Sequence, residues 1–138
     1  MEHTDFLILS RAYEILSLLG MVFPELSAAT LYSDLDVEEV VRSETLIYRA
    51  NLPKGYQLFV SEEYRYRDYR LEILYYYSLL DLRGNEVISY DNSPHYPDLA
   101  NFPHHKHFHP KDRYSPLSFS GELIDALKEI RWTIERAS

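Results

Sequence analysis

Five of the six histidines, His95, His104, His105, His107 and His109, fall within fifteen residues of one another. Folding alone gives no reason for such a cluster. Imidazole changes charge near neutrality and is the commonest metal ligand, so two chemistries fit. In the first, imidazoles serve as general acid and base while the 2′-hydroxyl of RNA attacks its own phosphodiester, and no metal, thiol or activated serine is needed. That chemistry also calls for a cation to meet the charge that develops on the phosphate oxygens. In the second, His105, His107 and His109, spaced by two, face one way on an extended segment and ligate zinc or a related ion, with Asp91, Asp98 or Asp112 completing the shell. A structural alternative packs the rings against the prolines, Phe102 and Phe108.

The metal-independent acid–base reading is the leading expectation, with no cofactor. It assigns His105 and His107 to proton transfer, His95 as a third candidate, and Asp91 to orienting a ring through its N–H. Phosphate contacts fall to Arg65, Arg67 and Lys106, the arginines sharing a strand face. The competing view of those arginines is a solvated pair neutralised by Glu63 and Glu72 across a hairpin. Tyrosine is the second anomaly, with thirteen in 138 residues. Most suit half-buried sheet positions, while Tyr76, on the opposite sheet face, is placed to stack on a nucleobase. Phosphate-loop, dinucleotide and HExxH patterns are absent, which argues against nucleoside-triphosphate hydrolysis and zincin-type proteolysis.

These residues need elements to hold them. Residues 5–20 read as a helix, with Thr4 or Asp5 as N-cap, Leu7, Leu9, Ala12, Tyr13, Leu16 and Leu19 at helical spacing, and Gly20 as the stop. Ser33-Asp34 reads as the cap of a short helical piece reaching Val40-Val41. The period then changes to two. Residues 44–52 form a strand, Pro53-Lys54-Gly55 a turn, and Tyr56–Tyr66 a second strand whose apolar even face is broken only by Glu62. A turn at Arg67-Asp68 leads into a strand from Tyr69 to Leu82, and Arg83-Gly84-Asn85 leads into Glu86–Tyr90. Prolines 94, 97, 103 and 110 make the histidine-rich segment a loop that displays its rings. A closing helix spans about Gly121 to Arg136, capped by Ser118 or Ser120, with Leu123, Ile124, Leu127, Ile130, Arg131 and Ile134 inward and Trp132 to one side. The expected fold is α+β: an N-terminal helix, an antiparallel meander of about four strands, the loop and a C-terminal helix, in a single domain over residues 1–138.

The chain has no cysteine, no run long and apolar enough to span a membrane, and a net charge of −8. A reducing cytoplasm fits the first, and no membrane partner is expected. The charge opposes general polyanion binding, although Lys106, Lys111 and Arg113 beside the histidines leave a local basic site open.

One family joins these features. Glu63-Tyr64-Arg65-Tyr66-Arg67, Tyr75-Tyr76-Tyr77, Leu82-Arg83-Gly84-Asn85, Tyr90-Asp91-Asn92-Ser93-Pro94-His95 and Phe102-Pro103-His104-His105-Lys106-His107 together resemble the TumE family of toxins of type II toxin–antitoxin modules. The chain departs from the family pattern at Tyr96, where a second histidine is usual. The resemblance implies a toxin, an antitoxin partner of helix-turn-helix type and, since many such toxins are small ribonucleases, an RNA substrate. Self-association stays open, as does a non-enzymatic alternative in which the loop and tyrosine-rich sheet dock a protein.

Overall fold

The computed structural model describes residues 3–26, 35–40, 43–109 and 115–137. Its sheet is antiparallel throughout, with seven strands that are neighbours in chain order. These are β1 (Leu35–Val40), β2 (Ser43–Asn51), β3 (Gln57–Arg67), β4 (Arg70–Leu80), β5 (Glu86–Asp91), β6 (His105–Phe108) and β7 (Leu117–Ser118). Two helices, α1 (His3–Val22) and α2 (Leu123–Arg136), bury one face of it. The fold is therefore the α+β meander that the alternation implies, with a longer sheet. Among the described residues, no helix is long and apolar enough to cross a membrane.

The added strands lie where local signals are weakest. Leu35–Val40, expected to be helical, pairs with Ser43–Tyr48 of β2. An open strand edge presents unpaired N–H and C=O groups, and pairing with them outweighs a capping signal that considers only local sequence. The proposed cap, Ser33-Asp34, lies outside the described residues. The β3–β4 turn falls one residue later than expected, at Asp68 and Tyr69, whose φ values of 50° and 62° fit a two-residue turn that matches strand twist. Tyr69 consequently leaves the strand and is 93% exposed.

The helices also shift in detail. Thr4 and Asp5 lie inside α1, which passes Gly20 and ends just before Phe23-Pro24, where the ring of proline disfavours helical backbone in the preceding residue. Its buried stripe includes Ile8, Ala12, Ile15 and Leu19, leaving Leu9 and Tyr13 exposed. The N-cap of α2 is Glu122, and Ser120 only accepts its N–H at 3.1 Å. Ala126 joins the α2 stripe, while Ile124 and Arg131 sit at its margin. The Arg131 guanidinium instead donates to the Val22 carbonyl at 2.9 Å, tying the end of α1 to α2.

Even positions of β3 and odd positions of β4 fill the core: Leu58, Val60, Tyr64, Tyr75, Tyr77 and Leu79. Glu62, fully buried among them, is not a defect in the pattern. Arg11 from α1 donates to both its oxygens at 2.8 Å, and the Tyr64 and Tyr77 hydroxyls donate to it at 2.5 Å each. Burial alone would raise the Glu62 carboxyl, but the Arg11 fork and the two phenols outweigh it, and its pKa lies below the ordinary value. Burial first, then the Glu62 charge, pushes both phenols upward, so they remain donors.

A carboxyl whose pKa is lowered by folding contributes stability above its unfolded pKa and loses it as pH falls through the folded value. Glu62→Gln should therefore flatten the acid limb of stability against pH, measured by urea melts across the carboxylate range. Arg11→Leu, which strands a buried charge, should cost about 3–5 kcal/mol at neutral pH. A wild-type acid limb in Glu62→Gln would refute the linkage.

Candidate active site

Pairing of β5 with β6 sets Asp91 opposite His105 and Ser89 opposite His107. Cross-strand partners share a face, as do residues two apart on one strand, so Asp91, His105 and His107 converge on the face away from the helices. His105 is 1% exposed and His107 is 6%. The expectation of a loop displaying its histidines is thus corrected for these two: β6 is a paired strand between β5 and β7. Pro94, Pro97 and Pro103 all precede it, so no proline ring interrupts its ladder. The loop that carries them returns over the sheet, and the Tyr96 ring packs edge-on against His105 and His107, with centroids at 4.9 and 5.7 Å.

Asp91 closes a turn and also faces an imidazole. One carboxylate oxygen accepts the Ser93 N–H at 3.0 Å and hydroxyl at 2.5 Å, closing a turn, and lies 3.1 Å from His105 Nε2. His105 Nδ1 is 3.0 Å from the Pro103 carbonyl. Both ring nitrogens therefore face oxygen acceptors. The two contacts are both hydrogen bonds only for a ring carrying two protons. With a proton on Nδ1 alone, an Nε2 lone pair confronts a carboxylate. The His105 and His107 ring centres are 5.0 Å apart, with planes at 88°.

An open cavity of about 510 Å³ lies over this group, with Tyr76, Asn92, His95 and Tyr96 also in its lining. His95 is exposed at the rim. Tyr76 donates to Glu86 through its hydroxyl, and burial first, then that contact, pushes its pKa upward. Of the expected cations, Lys111 and Arg113 lie outside the described residues, and the other three lie away from the cavity. Lys106, between the two histidines in sequence, points to the helix face, where its ammonium meets Glu129 at 2.9 Å. Arg65 shares the sheet face of the histidines but pairs with Glu63 at 3.0 Å. Strand geometry puts its Cα about 16 Å from that of Asp91. Arg67 is exposed beside the β3–β4 turn. Among the described residues, no lysine or arginine lines the cavity.

Of the other clustered imidazoles, His104 leaves the site, and His109 stays beside His107, with ring centroids 6.2 Å apart, but has its own partners. His104 stacks on Tyr75 and shares a 2.7 Å hydrogen bond with its hydroxyl. His109 meets Ser89 at 3.0 Å and Glu86 at 3.1 Å. Two positioning residues carried little sequence signal beyond their place in the motif. The Asn92 carboxamide accepts the Tyr75 N–H at 3.0 Å and donates to the Ile73 carbonyl at 2.7 Å, extending the β4–β5 ladder past the end of β5. Tyr96, visible only as a departure from a pattern, forms the wall over both imidazoles.

A protein-family model described as Toxin TumE matches residues 24–135. No curated protein and no solved structure matches the chain.

The contacts of His105 make its tautomer testable. In Asp91→Asn the new amide can donate to Nε2, and the Pro103 carbonyl should then hold the ring as the Nδ1–H form. Long-range ¹H–¹⁵N spectra at neutral pH should show that tautomer. An Nε2–H ring in this variant would contradict the assigned orientation.

Proposed function

The chain belongs to the TumE toxin family, and from that premise we propose that it is the toxin of a type II toxin–antitoxin module, an endoribonuclease reacting at the Asp91–His105–His107 cleft. A toxin of this kind implies an antitoxin partner. A helix-turn-helix protein is the proposed one, and a basic surface on it would complement the −8 charge of the chain and speed encounter. We take the protein to act in the cytoplasm as a single domain.

The observation that supports RNA cleavage is the convergence of two imidazoles and a carboxylate on the floor of an open cavity. Tyr76 and Tyr96 lie in the same lining, where a nucleobase can stack. In the proposed reaction the 2′-oxygen of RNA bonds to the adjacent phosphorus as its proton leaves, and the P–O5′ bond breaks as the departing oxygen gains a proton. The products are a 2′,3′-cyclic phosphate and a 5′-hydroxyl. These transfers are assigned to His105 and His107 on the floor and His95 at the rim, which line one cavity. The third requirement, positive charge for the transition state, is not met by a lining side chain among the described residues.

A second reading, a non-enzymatic module that docks a protein, is favoured by Tyr66, Tyr69 and Ile73, exposed together around the β3–β4 turn. The two readings separate on one pair of variants. Purified chain should cleave single-stranded RNA, and His105→Ala combined with His107→Ala should reduce the rate about 10²–10⁴-fold. Lys106→Gln should leave it unchanged. Expression alone should arrest growth, and the double variant should not. Cleavage undiminished in the double variant would overturn the enzyme reading, and growth arrest that persists without cleavage would favour the docking module.

A further inference from the structure

We propose that Asp91, His105 and His107 bind one divalent transition-metal ion of borderline softness, such as Zn²⁺ or Co²⁺, and that the ion brings positive charge to a cleft that no lysine or arginine lines among the described residues. Its part in RNA cleavage rests on the preceding reading; its binding does not.

The three donors are neighbours, and a small closing of the set onto an ion would complete it. One ligand atom from each of the three residues lies within 4.8 Å of the other two. The His105 Nε2 to Asp91 distance of 3.1 Å is close to the edge of about 3.3 Å in a tetrahedron built on zinc–nitrogen and zinc–oxygen bonds. Two imidazoles on one tetrahedral ion place their ring centres on the order of 5 Å apart, and those of His105 and His107 are 5.0 Å apart.

The surroundings point the same way. A ligating histidine typically donates its second ring N–H to a carbonyl or carboxylate, which fixes the tautomer. The Pro103 carbonyl, 3.0 Å from His105 Nδ1, is placed for that role. With the proton on Nδ1, the Nε2 lone pair faces the Asp91 carboxylate, an opposition that a cation between them relieves. Asp91 is held by Ser93, and all three ligands stand on β5 and β6 in fixed register. Three protein ligands with an open cavity on the remaining side is the arrangement of catalytic rather than structural zinc. Two nitrogens and one carboxylate favour borderline ions over magnesium or calcium, which prefer all-oxygen shells. Bound there, the ion would take His105 and His107 as ligands in place of the proton transfers assigned to them in the preceding reading, and leave His95 at the rim as the imidazole free to move protons.

The test uses the chain prepared without a histidine tag and titrated with Co²⁺ as a spectroscopic probe. One equivalent should bind with the visible absorption of tetrahedral cobalt, and Zn²⁺ should displace it. Asp91→Asn and His107→Gln should each weaken binding at least tenfold, the smallest loss expected even for an outer-shell change. His109→Ala should bind as wild type. Zn²⁺ should raise the Tm of the wild-type chain and not that of Asp91→Asn, with circular dichroism confirming that the variant is folded. Absence of saturable binding by the wild-type chain would overturn the site, as would loss only in His109→Ala. Binding without RNA cleavage would defeat the ribonuclease reading and leave the metal site standing. Full cleavage by the ion-free chain would remove the ion from the reaction.

Discussion

A pleated strand sends successive side chains to opposite faces, so the pairing of Asp91 with His105 commits every neighbour on β5 and β6. Ser89 and His107 follow onto the open face. Tyr90 and Lys106 go to the helix face, where Glu129 of α2 accepts the Tyr90 hydroxyl at 2.7 Å and the Lys106 ammonium at 2.9 Å. A slip of one residue would exchange the two sets, pressing imidazoles into the apolar core and an ammonium into the cleft. The Glu129 contacts therefore hold the strand register from one side of the sheet while the candidate site forms on the other.

The polar centre of the core has a related function. Glu62 is surrounded by aliphatic and aromatic neighbours, yet its carboxylate receives the Arg11 fork and two phenols. Such a group destabilises any packing that leaves it unpartnered, since an unpaired buried charge is far more costly than a paired one. It links α1 to β3 and β4, and the ladder carries that registration through β5 to β6. Groups held on paired strands keep their geometry more closely than groups on loops, which suits a site whose key distances are near 3 Å.

The cleft differs in character from a basic nucleic-acid groove. Among the described residues, its chemistry-bearing side chains are histidines, tyrosines and a carboxylate, on a chain of net charge −8. Phosphate chemistry in such surroundings needs positive charge from outside the lining side chains, and a His₂Asp donor set is suited to holding it as an ion. Tyr96 adds a further constraint. Its ring covers two imidazoles, so the floor is enclosed by an aromatic wall.

Alternation at residues 56–66 and 71–79 identified β3 and β4 because side-chain period is a local property, and the i, i+4, i+7 spacing in residues 123–134 identified α2 for the same reason. The chemical types at the site were equally legible, since Asp91, His95, His105 and His107 stand in motifs that a linear reading can see. Lys106 was open to the same reasoning: a strand period of two would have sent it away from its histidine neighbours. The pairing of β1, the partner of Glu62 and the burial of β6 were not legible. Arg11 and Glu62 are 51 residues apart, and neither strand edge exists until the rest of the sheet has formed. Sequence alone determined which residues are capable of chemistry and the period of each main element. Tertiary structure decided which of them meet, because facing and pairing depend on register between segments that no local pattern records.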